Sequence, residues 1–270
     1  MSKQEQRALK QTVSSKLVKT RLLLEGGGEL ARRVPRTAAL SRERLRAMLE
    51  AYGMVYVKPD TGSQGIGVCR VERDAGDGYR YQTGTRRLKL GSYDAMYRSL
   101  LRHVGARRHL VQQGIHTLRY RGRPFDFRIM VQKSPAGKWE NTGIAARVAH
   151  PAKIVSNGSQ GGTIYDAGRL LGLVAGRRQA MKLLGRMNRL ALLAAARFGA
   201  SYPAMNELGI DIAVDRTLEP WILEVNTRPD PCPFAKLEDR TALRTIIRYA
   251  RSYGRRYCLK CGKAKKGSGI

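Results

Sequence analysis

Apolar residues recur with a helical period in three segments of the chain. Residues 41–52 begin with a serine that can cap the first turn, and leucine and methionine side chains follow at intervals of three and four. Residues 92–104 repeat this pattern, and residues 169–198 extend it furthest, with an apolar stripe beside a basic one. The pattern predicts three amphipathic helices, and the C-terminal region adds a further basic helix.

A period of two predicts β-strands between these helices. The strands flank two glycine-rich segments, TGSQGIG at residues 61–67 and SNGSQGG at residues 156–162. Three consecutive alternating stretches are typical of a largely antiparallel sheet, and the last two strands form a hairpin around the turn DRTLEP. The predicted strands cover residues 54–58, 68–73, 107–115, 123–133, 138–150, 210–215 and 220–226.

Composition indicates a folded protein with a strong positive charge. Apolar residues make up 42% of the 270 residues, and 51 lysines and arginines stand against 21 acidic residues, a formal charge of +30. Such a charge attracts nucleotides, nucleic acids, anionic polymers and lipid headgroups alike. No segment approaches the roughly 20 apolar residues of a membrane span, and the N-terminus lacks a signal-peptide core. We therefore expect a cytoplasmic protein with no membrane partner.

The four cysteines, Cys69, Cys232, Cys258 and Cys261, are few and widely spaced for a chain of this length. We therefore expect no disulfide framework. Cys258 and Cys261 form a CxxC pair, but a structural zinc site needs about four ligands and no second pair lies nearby in sequence. The favoured interpretation is a basic tail with two thiols, and a metal or redox role for the pair is the alternative.

Three oxygen-bearing side chains lie on the predicted C-terminal hairpin. Glu224 and Asn226 are two residues apart on one strand face, and a hairpin symmetrical about residues 216–218 places Asp211 roughly opposite Glu224. Two facing carboxylates repel unless a cation or a shared proton resolves them. Two carboxylates with an amide suit magnesium, which binds through such groups together with substrate phosphates. A solvated polar face of an edge hairpin explains the spacing equally well.

A lysine at the end of a strand precedes the first glycine-rich segment. Glycine N–H groups can approach phosphate oxygens without side-chain obstruction, and Lys58 adds positive charge. The segment lacks the GxxxxGK[ST] pattern of a Walker loop, and the strand that follows it argues against a Rossmann fingerprint. From these residues alone a glycine hairpin without phosphate is the favoured interpretation, and a phosphate-binding loop is the alternative. The candidate residues are Lys58, Gly62, Ser63, Gln64, Gly65 and Gly67.

Cations accompany the second glycine-rich segment. Arg128 and Arg147 lie on predicted strands, and Asn157 precedes Gly161 and Gly162. Guanidinium groups beside a mobile glycine loop can clamp a transferring phosphoryl group and close over it. A single arginine in so basic a chain is more often a solvated surface charge, so the hypothesis depends on their joint placement.

Taken in order, four motifs resemble the ATP-grasp superfamily, most closely the YheC/YheD-like endospore coat-associated proteins. The most specific piece is the Glu-x-Asn pair in LEVNTRPD, which ATP-grasp ligases such as D-alanine:D-alanine ligase and glutathione synthetase carry as a magnesium pair. The resemblance extends over about residues 16–234. The motifs are VYVKPDTGSQGIGV, FDFRIMVQK, TGIAARVAHPAKIVSNGSQGG and GIDIAVDRTLEPWILEVNTRPD.

The resemblance implies a role for each candidate residue. Lys58 would contact the ATP phosphates and residues 62–67 would cover them, while an upstream lysine would be either Lys16 or Lys19. Arg128 and Arg147 would face the phosphates and the acyl phosphate. The hinge at residues 111–114 would bind adenine and ribose, through Gln112, Gln113 and Gly114. Magnesium would be held by Asp211, Glu224 and Asn226.

The same resemblance implies an α+β fold of two lobes, each a mainly antiparallel sheet with helices, that clasp ATP between them. The activity would be an ATP- and Mg²⁺-dependent carboxylate-amine ligation through an acyl phosphate, with both substrates unidentified and spore coat components as candidate partners. The sequence offers no Ser-His-Asp or Cys-His signature for a side-chain nucleophile. Expected regions are an N-terminal arm at 1–40, a first lobe at 41–113, a second lobe at 114–240 and a basic helix and tail at 241–270.

The chain also departs from the ATP-grasp pattern. About 40 residues precede the first lobe where such ligases usually carry a complete α/β domain, and Gly209 stands where D-alanine:D-alanine ligase has an arginine. Arg128 or Arg147 would supply that missing charge. Two alternatives remain, a catalytically inactive ATP-binding scaffold of the spore coat and a basic nucleic-acid-binding protein. Nucleic acid is the less favoured partner, because aromatic residues make up 7% of the chain and no RNA-binding signature is present.

Overall fold

The computed structural model of the protein describes residues 12–74, 76, 78–154, 161–259, 261–262 and 264–267. Within these ranges the chain forms a sheet of six strands and a sheet of seven, with seven α-helices, and this confirms the predicted α+β class. The helices are α1 (Lys16–Leu24), α2 (Gly28–Arg32), α3 (Arg42–Tyr52), α4 (Tyr93–Val104), α5 (Ala167–Ala175), α6 (Arg177–Ser201) and α7 (Thr241–Ser252). The strands are β1 (Thr37–Ala39), β2 (Met54–Pro59), β3 (Cys69–Arg73), β4 (Tyr79–Thr83), β5 (Arg86–Leu90), β6 (His109–Gln113), β7 (Arg119–Tyr120), β8 (Arg123–Lys133), β9 (Trp139–Val148), β10 (Thr163–Asp166), β11 (Glu207–Val214), β12 (Pro220–Asn226) and β13 (Lys265–Lys266).

The first sheet has the strand order β1-β6-β2-β3-β4-β5, and each neighbouring pair is antiparallel. Helices α3 and α4 form where the sequence predicts them, because Ser41 and Ser92 each accept a hydrogen bond from the backbone N–H three residues ahead. Gly53 ends α3 in the left-handed conformation, with φ of 67°. The two helices and the sheet share a core that includes Leu45, Leu49, Val55, Val57, Met96, Leu100 and Val111.

The second sheet has the order β12-β11-β8-β9-β10-β13, and β7 pairs with β8 off this path. Its pairs are antiparallel except for β10 with β13. Helices α5 and α6 pack on one face and α7 on the other, so alternate residues of β8 enter different cores. Phe127 and Ile129 join the core under α6, whereas Met130 joins Leu243 and Ile246 of α7.

The predicted helix over residues 169–198 is two helices. Gly176 has φ of 80°, a left-handed conformation that stops α5, and α6 starts at the next residue. The helical period alone did not reveal this break, because the apolar stripe continues on both sides of it. None of the helices in the described ranges is long and apolar enough to cross a bilayer, α6 with its 25 residues included.

A disulfide ties the C-terminal tail to the segment after β12, which corrects the expectation of two free thiols there. Cys261 pairs with Cys232, 29 positions earlier in the sequence. The two cysteines meet because α7 and the turns around it lead the tail back to the second sheet. The spacing of the cysteines in the sequence does not predict this contact. Cys258, the other half of the CxxC pair, is free and exposed, and Cys69 is free and buried.

Candidate functional site

A cleft lies between the two sheets, and most of the predicted site residues line it. The space between its walls is about 950 Å³, including space open to solvent. The predicted residues on its lining are Lys16, Lys58, Gly62, Ser63, Gly65, Gln112, Gln113, Asp211 and Glu224, together with Tyr56, Phe125, Asp126, Ile154 and Leu223, which the prediction lacked. The predicted residues Lys19, Gln64, Gly67, Gly114, Arg128, Arg147 and Asn226 are not on this lining.

Lys58 lies near the end of β2, and its ammonium group donates a hydrogen bond to Gln112 Oε1 at 2.6 Å. Gln112 in turn donates to Thr37 Oγ1 and, at 3.3 Å, to the backbone oxygen of Leu223, so its side chain joins the first sheet to β12. Burial lowers the pKa of Lys58, and the nearby Glu224 partly opposes that effect. An anion entering the cleft would favour the charged lysine and be bound by it in return.

Gln113 and Gly114 lie where the chain leaves the first sheet for the second. Gln113 Oε1 accepts a hydrogen bond from the backbone N–H of Arg36 at 3.2 Å. A β-carbon at Gly114 would come within 2.5 Å of Met54 Cε and 2.8 Å of the Met54 backbone oxygen, so the crossing point has room only for glycine. Gly114 therefore fixes the path of the connection, while Gln113 reaches the cleft.

The first glycine-rich segment is an exposed loop with left-handed backbone at four positions. Gly62, Gln64, Gly65 and Gly67 have φ angles of 108°, 63°, 70° and 72°. Glycine adopts this conformation without the steric cost that other residues bear, which explains the composition of the segment. Lys16 Nζ donates to the Gly62 backbone oxygen at 2.9 Å and so holds one end of the loop at the cleft.

Asp211 and Glu224 are direct partners across β11 and β12, as the hairpin argument predicts. Asn226 lies on the same strand face, and its Nδ2 donates to the backbone oxygen of Gly209 at 3.2 Å and to Asp211 Oδ2 at 3.3 Å. Strand pairing with residues on both sides buries Asp211, whereas Glu224 is partly exposed at the cleft wall. The three predicted oxygen-bearing side chains are therefore together.

Two buried arginines bind the carboxylates of this region. Arg128 donates to both oxygens of Asp211, from Nε at 2.6 Å and from Nη2 at 3.2 Å. Arg147 donates to both oxygens of Asp126 at 2.7 and 2.8 Å, and its Nη2 is 3.1 Å from Asp211 Oδ2. Burial alone would raise the Asp211 pKa, but the two guanidinium groups lower it to about 2. The arginines thus hold Asp211 as an oriented carboxylate.

Gly209 makes room for one of these arginines. A β-carbon at this position would lie 3.3 Å from Arg128 Cδ and 2.8 Å from Pro229 Cβ, so the bare glycine accommodates the side chains above it. Gly209 stands where the resemblance to D-alanine:D-alanine ligase implies an arginine. The guanidinium group of Arg128, from the neighbouring strand β8, occupies the adjoining space instead.

Helix α1 was not predicted, and its start is bound to both sheets. The buried carboxylate of Asp60, just after β2, accepts hydrogen bonds from Ser15 Oγ and from the Leu17 backbone N–H, each at 2.9 Å. Thr227 Oγ1, just after β12, accepts from the Val13 backbone N–H at 2.9 Å and donates to the Val13 oxygen at 3.1 Å. These contacts fix the helix against the cleft at its first turn.

Both upstream lysines of the prediction approach Glu224 from this helix. Lys19 Nζ lies 3.6 Å and Lys16 Nζ 3.9 Å from Glu224 Oε1. Lys19 is buried, and that burial lowers its pKa despite the neighbouring glutamate. The sequence did contain a signal for this arrangement, because Ser15 is an N-cap residue placed before a run with spaced leucines.

The oxygen donors fit a magnesium ion that is shared with phosphate. Asp211, Glu224 and Asn226 offer two carboxylates and an amide oxygen on one strand face, the hard ligands that Mg²⁺ prefers. Within the described residues, no three His, Cys, Asp or Glu side chains cluster into a metal site by themselves. A magnesium ion here would therefore take its remaining ligands from water and from the phosphate oxygens of a nucleotide.

The second glycine-rich segment is only partly described. Asn157 lies outside the described residues, as do its neighbours from 155 to 160. Gly161 has φ of 84° at the start of the return to β10, and Ile154, at the other side, reaches the cleft lining. The predicted role of Asn157 therefore stays a prediction.

Three solved structures have a similar fold, and one of them is an ATP-grasp ligase. D-cycloserine synthetase DcsG matches with a TM-score of 0.57 at 14% identity, over 92% of this chain and 71% of that chain. N5-carboxyaminoimidazole synthase from Aspergillus clavatus matches with a TM-score of 0.52 at 12% identity, over 83% of this chain and 46% of that chain. The ATP-grasp ligase PsnB matches with a TM-score of 0.50 at 14% identity, over 90% of this chain and 59% of that chain. At these identities the similarity concerns the fold.

The chain belongs to the YheC/D-like ATP-grasp family, whose model matches residues 7–255. Two relatives from Bacillus subtilis (strain 168) are similar to it. The endospore coat-associated protein YheD is 28% identical over 220 residues, which cover 74% of this chain and 47% of YheD. The endospore coat-associated protein YheC is 23% identical over 203 residues, 73% of this chain and 54% of YheC. The chain thus spans about half the length of these relatives.

Proposed function

We propose that the protein binds ATP with Mg²⁺ in the cleft and acts as a carboxylate-amine ligase through an acyl phosphate. The observation that carries this proposal is a convergence: Lys58, the glycine loop at 62–67 and the Asp211–Glu224 pair come from distant parts of the chain and line one cleft. Membership of an ATP-grasp family supports nucleotide binding there. The A. clavatus synthase, which has a similar fold, was solved in complex with ADP. That complex supports the same inference for this protein.

Each group in the cleft has a part in this proposal. Lys16 and Lys58 and the N–H groups of the glycine loop would bind the phosphates, because they are the cations and donors that face the lining. Asp211, Glu224 and Asn226 would hold Mg²⁺, which when bound supplies positive charge at the phosphate oxygens. Arg128, with Arg147 behind it, would keep Asp211 ionised and oriented.

The proposed chemistry needs positioning and electrostatic stabilisation but no side-chain nucleophile. A substrate carboxylate oxygen forms a bond to the γ-phosphorus, the bond from that phosphorus to the bridging oxygen breaks, and ADP leaves with the electron pair. An amine then attacks the acyl carbon and loses a proton, and phosphate departs with the electrons of the broken C–O bond. The lysines stabilise the negative charge that develops on the phosphates.

Thermal unfolding with and without nucleotide tests the proposal. A ligand that binds only the folded state stabilises it by mass action and so raises the melting temperature. At a ligand concentration of a hundred times Kd, the free energy of unfolding increases by about 2.7 kcal/mol. We expect ATP with Mg²⁺ to raise it clearly, and ATP with a chelator to raise it less. Phosphate and ADP release with mixed carboxylates and amines then tests turnover. A thermal shift without any turnover would favour the inactive scaffold, and no shift at millimolar ATP would contradict the proposal.

We also propose an association with the spore coat, following the names of the two relatives. The redox state of Cys232 and Cys261 in cells tests whether the protein is cytoplasmic. The two cysteines form a disulfide in the structure, and disulfides persist mainly in oxidising compartments. Alkylation of thiols in intact cells, followed by mass spectrometry, reports whether this pair is oxidised there. A fully reduced pair would agree with residence in the cytoplasm, and an oxidised pair would favour the coat.

A further inference from the structure

We propose that a row of arginines on α7 docks an acidic polypeptide, which is the carboxylate substrate of the cleft. This inference rests on the proposed ligase function. The arginine row consists of Arg244, Arg248 and Arg251, all exposed. Their spacing of four and three residues places them on one side of the helix, opposite Leu243 and Ile246, which are buried against the second sheet.

The arginine row lacks close ion pairs among the described residues, although Glu140 and Asp239 lie near enough to interact electrostatically with Arg248 and Arg244. Within the described part of the chain, none of the three guanidinium groups has an acidic partner within 4 Å, whereas Arg42, Arg186 and Arg197 elsewhere on the surface each have one. Arg244 donates a hydrogen bond to the hydroxyl of Thr241. The row is therefore a concentration of positive charge that remains available for an anion.

Helix α7 lies on the same sheet face as the cleft. Gln132 donates to the backbone oxygen of Ile246 in α7 at 3.1 Å, and side chains of β8 alternate, so Asp126, Arg128 and Gln132 project to one face. Asp126 lines the cleft. Gln132, under the inner side of α7, lies four positions from Arg128, about 13 Å along the strand, and the arginine row lies on the outer side of the helix, about 10 Å further. A segment of roughly seven or more extended residues would therefore reach from the row to the carboxylate site.

The chemistry of the row favours carboxylates on a polypeptide. Guanidinium groups bind carboxylates with two parallel hydrogen bonds, and the proposed reaction itself requires a carboxylate. Arg244 and Arg248 are about 6 Å apart along the helix axis, close to the repeat of about 6.8 Å between alternate side chains of an extended chain. A row of acidic side chains could thus engage successive arginines while one carboxylate enters the cleft.

The tyrosines near the row make a nucleic acid the weaker candidate. Single-stranded nucleic acids bind through bases stacked on open aromatic rings. The guanidinium group of Arg248 lies over the Tyr249 ring, 5.5 Å from its centre, and the Tyr249 hydroxyl donates to Glu140 at 2.6 Å. The hydroxyls of Tyr253 and Tyr257 both donate to the buried Glu207. These rings are committed to the protein's own contacts.

The test compares two triple variants that remove equal charge. In the row variant Arg244, Arg248 and Arg251 become Gln, and in the control variant Arg177, Arg178 and Lys182 become Gln. The control residues are equally exposed, but they lie on α6, which packs on the opposite face of the second sheet. Circular dichroism and melting temperature establish that both variants fold.

Binding of fluorescein-labelled poly-L-glutamate of about 20 residues is measured by anisotropy at low salt. We expect wild type to bind, the row variant to bind at least tenfold more weakly, and the control variant to change less than threefold. Equal losses in both variants would mean that net charge alone is responsible, and no binding by wild type would also overturn the proposal. A 20-nucleotide single strand that depends on the row more strongly than polyglutamate does would assign the row to nucleic acid instead.

The magnesium-ATP thermal shift, run on the same three proteins, separates this proposal from the proposed function. We expect the shift to be unchanged in the row variant, because the row lies outside the nucleotide cleft. If wild type lacks the shift, the nucleotide function fails, while the anisotropy result still decides the docking surface. If polyglutamate stimulates ADP formation, the row variant should raise its KM at least tenfold with kcat little changed, and an unaltered KM would contradict the proposal.

Discussion

Asp211 and Glu224 face each other across two antiparallel strands, but the negative charges of the two carboxylates are balanced by different cationic side chains. Asp211 is buried and holds two guanidinium groups, whereas Glu224 is partly exposed and lies 3.6 Å from the ammonium group of Lys19. The first carboxylate is thus bound to structural partners. Both carboxylates line the cleft, but Glu224 has the looser contacts, so it is the group expected to respond more to ligands.

Glu224→Gln should abolish most turnover while leaving the fold intact. The amide keeps the volume but loses the negative charge that would bind magnesium, and loss of such a contact commonly costs a hundredfold or more in rate. Stability should change by about 1 kcal/mol or less, since Glu224 is partly exposed and its lysine contacts are long. ADP formation and urea denaturation measure the two effects. Glu50→Gln, exposed on α3, is the matched control, and full activity in Glu224→Gln would refute the metal role.

Asp211→Asn should destabilise the protein by about 3–5 kcal/mol, because it leaves the buried Arg128 without its carboxylate. The folded-state pKa of Asp211 is about 2, below the ordinary value, so its stabilising effect is complete above about pH 4 and is lost as pH falls towards 2. Wild type should therefore lose stability through this window, and the variant should lose less. Urea titrations at several pH values measure the difference.

The control for that experiment is Asp94→Asn. Asp94 pairs with Arg42 at the exposed surface, where an ion pair contributes about 0–1 kcal/mol. If Asp211→Asn cost no more than this control, the buried arrangement of carboxylate and arginines would not stabilise the fold.

Binding of ATP at alkaline pH should be accompanied by proton uptake. Burial lowers the pKa values of Lys58 and Lys19, so part of their population is neutral below the ordinary lysine value of 10.5. Phosphate anions favour the ammonium forms, which raises both pKa values in the complex. Calorimetry in buffers of different ionisation enthalpy measures the uptake, and Lys58→Met should reduce it. Equal enthalpies in all buffers at alkaline pH would show that these lysines do not meet the phosphates.

Alanine variants of two helix-capping serines, Ser15 and Ser41, distinguish an effect on stability from an effect on ATP binding. Ser15 and Ser41 each accept a hydrogen bond at the start of a helix, so replacing either with alanine should cost about 1 kcal/mol. Ser15 also bonds to Asp60 and begins the helix that carries Lys16 to the glycine loop. Ser15→Ala should therefore weaken ATP binding severalfold, and Ser41→Ala should not. Equal affinities in the two variants would mean that the start of α1 does not position the cleft.

The parts of the fold that follow local periodicity were predictable from sequence. The helices capped by Ser41 and Ser92 were expected within one residue, because cap, stripe and terminator agree within each segment. The facing of Asp211 and Glu224 was predictable only approximately, because the register set by the turn would pair Asp211 with Leu223, and a bulge next to Asp211 shifts the pairing by one residue to Glu224. Lys58, Gly62, Ser63 and Gly65 lie on the cleft between the sheets, a placement that the family resemblance implied and that local periodicity does not contain.

The structural features that the sequence did not predict depend on contacts between residues far apart in the chain. Gly176 breaks a helix whose apolar pattern is continuous, and Cys232 meets Cys261 only through the path of α7. Asp126 and Asp60 were not singled out, because a carboxylate's partners, Arg147 and Ser15 here, are decided by tertiary structure. Domain boundaries and the roles of the site residues stay predictions.

The measurement that tests the central claim most directly is a crystal structure with an ATP analogue and Mn²⁺, located by its anomalous scattering. The nucleotide should lie in the cleft with its phosphates at Lys58 and the glycine loop. The manganese peak should lie about 2.1–2.2 Å from oxygens of Asp211 or Glu224, since Mn²⁺ occupies sites that suit Mg²⁺. A nucleotide bound elsewhere, or a metal peak with neither carboxylate in its coordination sphere, would contradict the account.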